Sequence, residues 1–225
     1  MPTASPLLHV RGKHRGYPIY LGRGNHRAAY LISPRHVTKV HLPVSGLASM
    51  RGQLYNRAKE RFEYVVHGGF NELELRNFRR IWKSVPKHLR SSFARISSQR
   101  GKTKERILRI RVVRDADGSL SKTLRRFGPV SDPVFWRRFD LLVNWMLETK
   151  NYFLDFNAEN VAVKRLSNGS HIPVLIDYKR VGYQSHPLQW WLRIPIIARA
   201  RMLRRIGRRI DRYRIERQSM PLQKN

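Results

Sequence analysis

Two carboxylates and one amide in the second half of the chain have the types and spacing of a phosphoryl-transfer site. Asp155 is followed five residues later by Asn160, and Asp177 stands at the end of a later apolar run. In such a site one carboxylate faces the attacking hydroxyl, while the amide oxygen and the second carboxylate hold Mg²⁺ against the ATP phosphates. Oxygen ligands suit Mg²⁺. The spacing therefore predicts Asp155 as the base and Asn160 and Asp177 as metal ligands.

A predicted β-hairpin over residues 160–177 would bring the two metal ligands together. A short apolar strand, a Ser-Asn-Gly-Ser turn at residues 167–170 and a returning strand follow one another. Both ends of a hairpin lie at one edge, so we expect Asn160 and Asp177 to be neighbours. The alternative involves no chemistry: Asp155 caps a turn, and Asp177 simply ends a strand.

The first part of the chain carries Gly22 and Gly24 in a predicted strand–turn–strand segment, residues 20–30. Glycines allow backbone amides to approach a phosphate closely, although an ordinary hairpin turn has the same pattern. In the next predicted strand, residues 35–42, alternation places Lys39 on the same face as Val37. Lys39 is thereby placed under the glycine turn.

A predicted helix that begins after Asn71 as its cap carries Glu72 and Glu74 in its first turn and ends at Pro86. A glutamate there complements the helix dipole, and Glu74 is equally suited to orient Lys39. Glu72 is a second candidate for that role because the helix register could differ by two residues. A shorter helix is predicted before it, over residues 53–66.

The predicted elements divide into a sheet-rich part and a helical part. Strands at residues 93–96 and 107–113 complete the first part, and a turn at residues 115–119 follows them. A largely apolar helix begins at Asp132-Pro133. We therefore predict an N-lobe over residues 1–114, a C-lobe over residues 115–217 and a disordered tail over residues 218–225, with a nucleotide cleft between the lobes.

Composition and charge narrow the classes of partner. The 225 residues include no cysteine, which excludes disulfides and thiolate metal sites, and neither a membrane span nor a signal peptide is evident. We expect a cytoplasmic protein. Lys and Arg total 46 against 15 acidic residues, a formal net charge of +31. Such a chain attracts polyanions: nucleic acid, an anionic membrane or phosphorylated glycans.

The C-terminal part contains a basic amphipathic helix that follows Trp190-Trp191 and runs to about residue 217. Three roles fit it: an inner-membrane contact, a helix of the C-lobe with solvated arginines, and an arginine-rich RNA-binding helix. Its apolar stripe is predicted to consist of Ile196, Ala200, Leu203, Ile206, Ile210 and Tyr213. The arginines that cover the rest are Arg199, Arg201, Arg204, Arg205, Arg208, Arg209 and Arg212.

The ordered motifs resemble those of the protein-kinase-like fold and, more closely, the YrbL family of small bacterial kinase-like proteins, named for the PhoP regulatory network. The match runs from about residue 20 to about residue 193. The resemblance implies an α+β, two-lobed fold with a small antiparallel-sheet N-lobe and a reduced, mainly helical C-lobe. The motifs of the closer match are Leu21-Gly22-Arg23-Gly24-Asn25-His26-Arg27 with Tyr30, Asp115-Ala116-Asp117-Gly118 with Thr123-Leu124, and Ile172-Pro173-Val174.

The resemblance also implies roles. Gly22 and Gly24 resemble the loop that covers the ATP phosphates, Lys39 resembles the strand lysine that holds the α- and β-phosphates, and Glu74 resembles its ion-pair partner. The resemblance assigns the base and the two metal ligands to the same three residues as the spacing does, and it implies ATP and Mg²⁺ as cofactors.

Departures from the protein-kinase pattern indicate what kind of molecule would accept the phosphoryl group. Phe153-Leu154-Asp155 lacks the histidine of H-R-D, and Asp177-Tyr178-Lys179 lacks the glycine of D-F-G. Asn157 stands where protein kinases carry a lysine, as in sugar and small-molecule kinases, including those that act on the lipopolysaccharide core. Only about ten residues separate Asp177 from Pro187, and no A-P-E occurs. A small or glycolipid hydroxyl is thus favoured over a protein.

Three function classes remain: an ATP-dependent phosphotransferase, a pseudokinase or regulatory binding protein, and a basic nucleic-acid-binding protein. The joint presence of Lys39, Asp155, Asn160 and Asp177 favours the first. Nucleic acid is the less favoured partner because the sequence has no zinc-finger spacing, RNP-like strand or helix-turn-helix.

Overall fold

The structure is a computed structural model of the 225-residue chain. It describes residues 16–23, 27–41, 61–62, 65–66, 68–100, 106–152, 156–179 and 194–214. Two compact units are present, Met1–Val85 with Ala94–Val112 and Pro86–Phe93 with Val113–Asn225. The lobe boundary predicted at residues 114 and 115 stays a prediction, and the predicted tail lies outside the described residues.

The first unit contains a five-stranded antiparallel sheet in the order β1-β2-β3-β5-β4. The strand predicted at residues 93–96 is displaced: β4 begins at Ile96, and Phe93 belongs to the second unit, where it forms an isolated bridge with Leu175. The five strands are β1 (Ile19–Arg23), β2 (Arg27–Ser33), β3 (His36–His41), β4 (Ile96–Arg100) and β5 (Arg106–Arg111).

Helix α1 (Phe70–Ser84) packs on β4 and β5 through a stripe of buried apolar side chains. Its N-cap is Gly69, whose φ of 101° favours glycine, so the prediction of Asn71 as the cap is wrong. Asn71 lies inside the first turn instead. The helix ends as predicted, because Pro86 requires the preceding residue to be extended, and Val85 has a ψ of 126°.

The second unit is mainly helical. Asp132 caps α3 as predicted, accepting a hydrogen bond from the Val134 amide at 2.8 Å, and α3 packs on β7. Among the predicted helix residues 53–66, the structure describes four, and these are helical. The elements of the unit are a 3₁₀ helix (Lys87–Ser92), α2 (Leu124–Phe127), α3 (Pro133–Glu148), β6 (Val161–Arg165), β7 (His171–Leu175), α4 (Pro195–Arg209) and a second 3₁₀ helix (Asp211–Tyr213).

The fold class predicted from the sequence is confirmed. The N-terminal part is built on an antiparallel sheet, and the C-terminal part is mainly helical with one hairpin. Helix α4 ends at Arg209, earlier than the predicted residue 217. Within the described segments, no helix has the length and apolar character needed to cross a bilayer.

Candidate functional site

Lys39 and Glu74 form a buried ion pair in the first unit. Lys39 Nζ donates a hydrogen bond to Glu74 Oε1 at 2.6 Å, and the glutamate side chain is 0% exposed. Lys39 lies near the end of β3 and Glu74 in the second turn of α1, so the pair joins the strand to the helix. In active protein kinases, a lysine on a strand and a glutamate on a helix form an ion pair of this kind.

Arg27 is a second cation on the same carboxylate, and the sequence did not indicate this role. Its Nη1 lies 2.6 Å from Glu74 Oε2, and its side chain is 7% exposed. The β2–β3 register explains the arrangement: Ala29 is paired with Lys39, so Arg27, two residues before Ala29, lies on the same face of the sheet. A cross-strand register of this kind is the signal that could have identified Arg27.

Asn71 completes this cluster. Its Oδ1 accepts a hydrogen bond from Arg27 Nη1 at 3.0 Å, and its Nδ2 donates one to the backbone carbonyl of Lys39 at 3.4 Å. The side chain that the sequence suggested as a helix cap therefore binds β2 and β3 to the first turn of α1. Glu74, rather than Glu72, occupies the position next to Lys39.

The glycine-rich turn is described only in part. Gly22 lies in β1 opposite Ala29, after a bulge that follows the Tyr20–Tyr30 pair. An extra residue at such a bulge increases the local twist of the strand. A Cβ added at Gly22 would meet no atom within 4 Å. Gly24 lies outside the described residues, so the turn itself stays a prediction.

Asn160 and Asp177 lie at the mouth of the β6–β7 hairpin. The register pairs Val161 with Leu175, and the Ile176 amide donates a hydrogen bond to the Asn160 carbonyl at 3.1 Å. Asp177 follows Ile176 directly. The hairpin thus brings the backbone of the two predicted metal ligands together.

Local hydrogen bonds fix both ends of this mouth. Asn157 Oδ1 accepts hydrogen bonds from the amides of Glu159 and Asn160, at 2.9 and 3.1 Å. Asp177 Oδ1 accepts one from the Lys179 amide at 2.9 Å. Asn157 therefore shapes the turn that leads into Asn160. From the sequence, Asn157 had indicated only which class of kinase the chain resembles.

Tyr178 anchors the segment that carries Asp177. Its ring is fully buried and stacked with Phe93, with centroids 6.3 Å apart, and its hydroxyl donates to the Leu175 carbonyl at 2.7 Å. In the sequence, the only indication of this anchor is an aromatic residue directly after Asp177. Since the ring cannot leave without breaking these contacts, Tyr178 limits the backbone positions open to Asp177.

Asp155, the predicted base, lies outside the described residues. The chain is described again at Phe156, which is fully buried and packs edge-on against Phe139 of α3, with centroids 5.4 Å apart. Among the residues that the structure describes, no group of three or more His, Cys, Asp or Glu side chains could hold a metal ion. The predicted Mg²⁺ site differs from such a group, since it uses one amide, one carboxylate and phosphate oxygens.

One solved structure that the chain is similar to is Rio2 kinase from Chaetomium thermophilum in its ADP/Mg²⁺-phosphoaspartate complex. The identity is 16%, the TM-score is 0.48, and the match covers 84% of this chain and 54% of that chain. The chain thus spans about half the length of that kinase. No protein-family model matches the chain, and no curated protein sequence matches it. The YrbL resemblance stays a prediction, and so do the roles of the site residues.

Proposed function

We propose that the protein is an ATP-dependent phosphotransferase of the protein-kinase-like superfamily. The observation that supports this most directly is the buried Lys39–Glu74 ion pair, which joins the third strand of an antiparallel sheet to helix α1. Because a buried carboxylate is costly without its cations, Glu74 fixes the position of Lys39, and we take this positioning as its role. In kinases that role is to orient the lysine toward the α- and β-phosphates.

The roles of the other site residues are assigned from the order of the motifs along the chain. Gly22 and Gly24 would cover the phosphates of bound ATP, and Asp155 would accept the proton of the acceptor hydroxyl. Asn160 and Asp177 would hold Mg²⁺; the oxygen donors of their side chains and their shared place at the hairpin mouth fit that ion. When bound, Mg²⁺ would neutralise charge on the phosphates.

The proposed acceptor is a hydroxyl group of a small molecule or a glycolipid. The basis is the short segment between Asp177 and Pro187 and the lack of an A-P-E sequence, which leave no activation segment of the usual protein-kinase length.

The first test is equilibrium binding of ATP to the full chain, by calorimetry, with Mg²⁺ and with EDTA. We expect saturable binding that EDTA weakens. ATP hydrolysis or transfer to a hydroxylated acceptor is then measured by release of ADP. Binding without turnover would support the pseudokinase alternative, and no binding under either condition would contradict the proposal.

A further inference from the structure

One face of helix α4 is packed within the second unit. Its buried side chains are Ala198, Met202, Ile206 and, at the helix end, Ile210, each four residues after the one before. Residues four apart lie on one face of a helix. This stripe belongs to the core of the second unit, and it holds α4 in place.

A second apolar stripe on α4 is exposed. Ile196 is 79% exposed and Leu203 is 37% exposed, and Ala200 between them is exposed as well. At 3.6 residues per turn, these positions lie about a third of a turn from the buried stripe. The single stripe predicted from the sequence is therefore wrong in one respect: Ile206 and Ile210 are core residues, whereas Ile196, Ala200 and Leu203 face outward.

The start of the helix extends this apolar surface. Ile194 and Ile197 are also exposed, next to Ile196. Large apolar side chains on a surface are common singly, but several together indicate a contact site. We name the group of Ile196, Ala200 and Leu203 the α4 stripe, and Ile194 and Ile197 lie beside it at the start of the helix.

Arginines border the α4 stripe. Arg199, Arg204 and Arg208 are exposed on the same helix, and Arg209 and Arg212 are exposed at its end. Asp211 is the one acidic residue between residues 194 and 214. The surface thus combines protruding isoleucines with a dense positive charge.

We propose that this face of α4 docks peripherally on an anionic lipid bilayer. The isoleucines and Leu203 would enter the boundary between headgroups and acyl chains, while the arginines contact lipid phosphates and carboxylates. A nucleic acid would satisfy the arginines but leave the α4 stripe in water, so the stripe favours a bilayer. Because the buried and exposed stripes are separate, docking requires no release of α4 from its unit.

This inference is independent of the phosphotransferase proposal, because it concerns binding without nucleotide. The experiment is co-sedimentation of the full chain, in the absence of ATP, with phosphatidylcholine vesicles that contain or lack phosphatidylserine, at low and high salt. We expect binding to the anionic vesicles at low salt, reduced by salt, and little binding to the neutral vesicles.

A charge-matched pair of variants separates a docking surface from net charge. Arg204→Gln/Arg208→Gln removes two charges from α4, and Arg109→Gln/Arg111→Gln removes two exposed charges from β5. From the usual contribution of a basic residue near an anionic surface, the first variant should bind roughly thirtyfold more weakly. The second should bind within about threefold of the wild type. Equal losses would mean that overall charge alone causes the binding.

A second pair tests the apolar part. Ile196→Gln/Leu203→Gln should lower vesicle binding by roughly tenfold or more, because these side chains no longer enter the bilayer. Leu120→Gln/Leu141→Gln, at other exposed positions of the same unit, is the control and should bind as the wild type does. Thermal unfolding of each variant checks that it is folded.

Three further results would overturn the inference. These are binding that ignores lipid charge, binding that is unchanged in Ile196→Gln/Leu203→Gln, and binding of a homopolymeric RNA that depends on Arg204 and Arg208 while vesicles are not bound. The last result would identify α4 as a nucleic-acid surface.

Discussion

Arg27 and Lys39 bind opposite oxygens of one buried carboxylate: Arg27 Nη1 lies 2.6 Å from Glu74 Oε2, and Lys39 Nζ lies 2.6 Å from Glu74 Oε1. Glu74 therefore does not depend on Lys39 alone for compensation of its charge. If Lys39 turns toward a phosphate, Arg27 still holds the carboxylate, and with it the first turns of α1, against β2.

The first prediction concerns Arg27. Arg27→Gln should lower the free energy of unfolding by about 3 kcal/mol, because a buried carboxylate loses one of its two cations. Urea unfolding measures the change as a shift of the midpoint at constant slope. Arg109→Gln, an exposed arginine of the same sheet, is the control and should change stability by less than about 0.5 kcal/mol. Similar small effects in both variants would show that Arg27 is not structurally required.

The second prediction compares the two glutamates of α1. Glu74→Gln should lower the free energy of unfolding by about 3 kcal/mol, since it leaves Arg27 and Lys39 close together without an anion. It should also weaken ATP binding if Glu74 orients Lys39. Glu72→Gln is the matched control, two residues away and only half-buried, and we expect little change in either measurement. A larger effect of Glu72→Gln on ATP binding would assign the lysine partner to Glu72.

The third prediction separates the metal ligand from the base. Asp177→Asn should weaken Mg²⁺-dependent ATP binding, whereas Asp155→Asn should leave binding intact and lower kcat by about a hundredfold or more, as expected for loss of a general base. Calorimetry and single-turnover kinetics measure the two effects. Asp117→Asn, an exposed turn residue, is the control. Equal turnover in all three variants and the wild type would refute these roles.

The fourth prediction is a pH dependence that arises from Asp132. Burial acts to raise the pKa of this carboxyl, but hydrogen bonds from the amides of His171 and Val134 together with the His171 side chain outweigh burial and lower the pKa below the usual value. A lowered pKa in the folded state stabilises the protein fully above about pH 4, and the stabilisation is lost as the pH falls through the folded-state pKa.

Urea unfolding of the wild type and Asp132→Asn from neutral to acidic pH tests this dependence. We expect the wild type to be more stable near neutral pH and the difference to shrink below about pH 4, where the aspartate becomes protonated. A difference that stays constant over this range would mean that the charge of Asp132 does not contribute.

The sequence determined the features that depend on local patterns. Strand alternation placed Lys39 on the same face as Val37, and the cap-and-stripe pattern of α1 placed Glu72 and Glu74 near the start of that helix as candidate partners of Lys39, although only the structure showed that Glu74 is buried beside it. The Ser-Asn-Gly-Ser turn fixed the hairpin that brings Asn160 near Asp177, since a hairpin has a local register. Likewise, Asp132-Pro133 was sufficient to predict the start of α3, because a cap acts within one helical turn.

Tertiary structure alone decided the features that depend on contacts between distant residues. Arg27 lies 47 positions before Glu74, and only the pairing of β2 with β3 and the packing of α1 place them 2.6 Å apart. In α4 the helical period was evident, but the packing of the second unit determined that Ile206 is buried while Leu203 is exposed. The physical reason is that periodicity defines which residues share a face, whereas burial of that face depends on the surfaces that other parts of the chain bring against it.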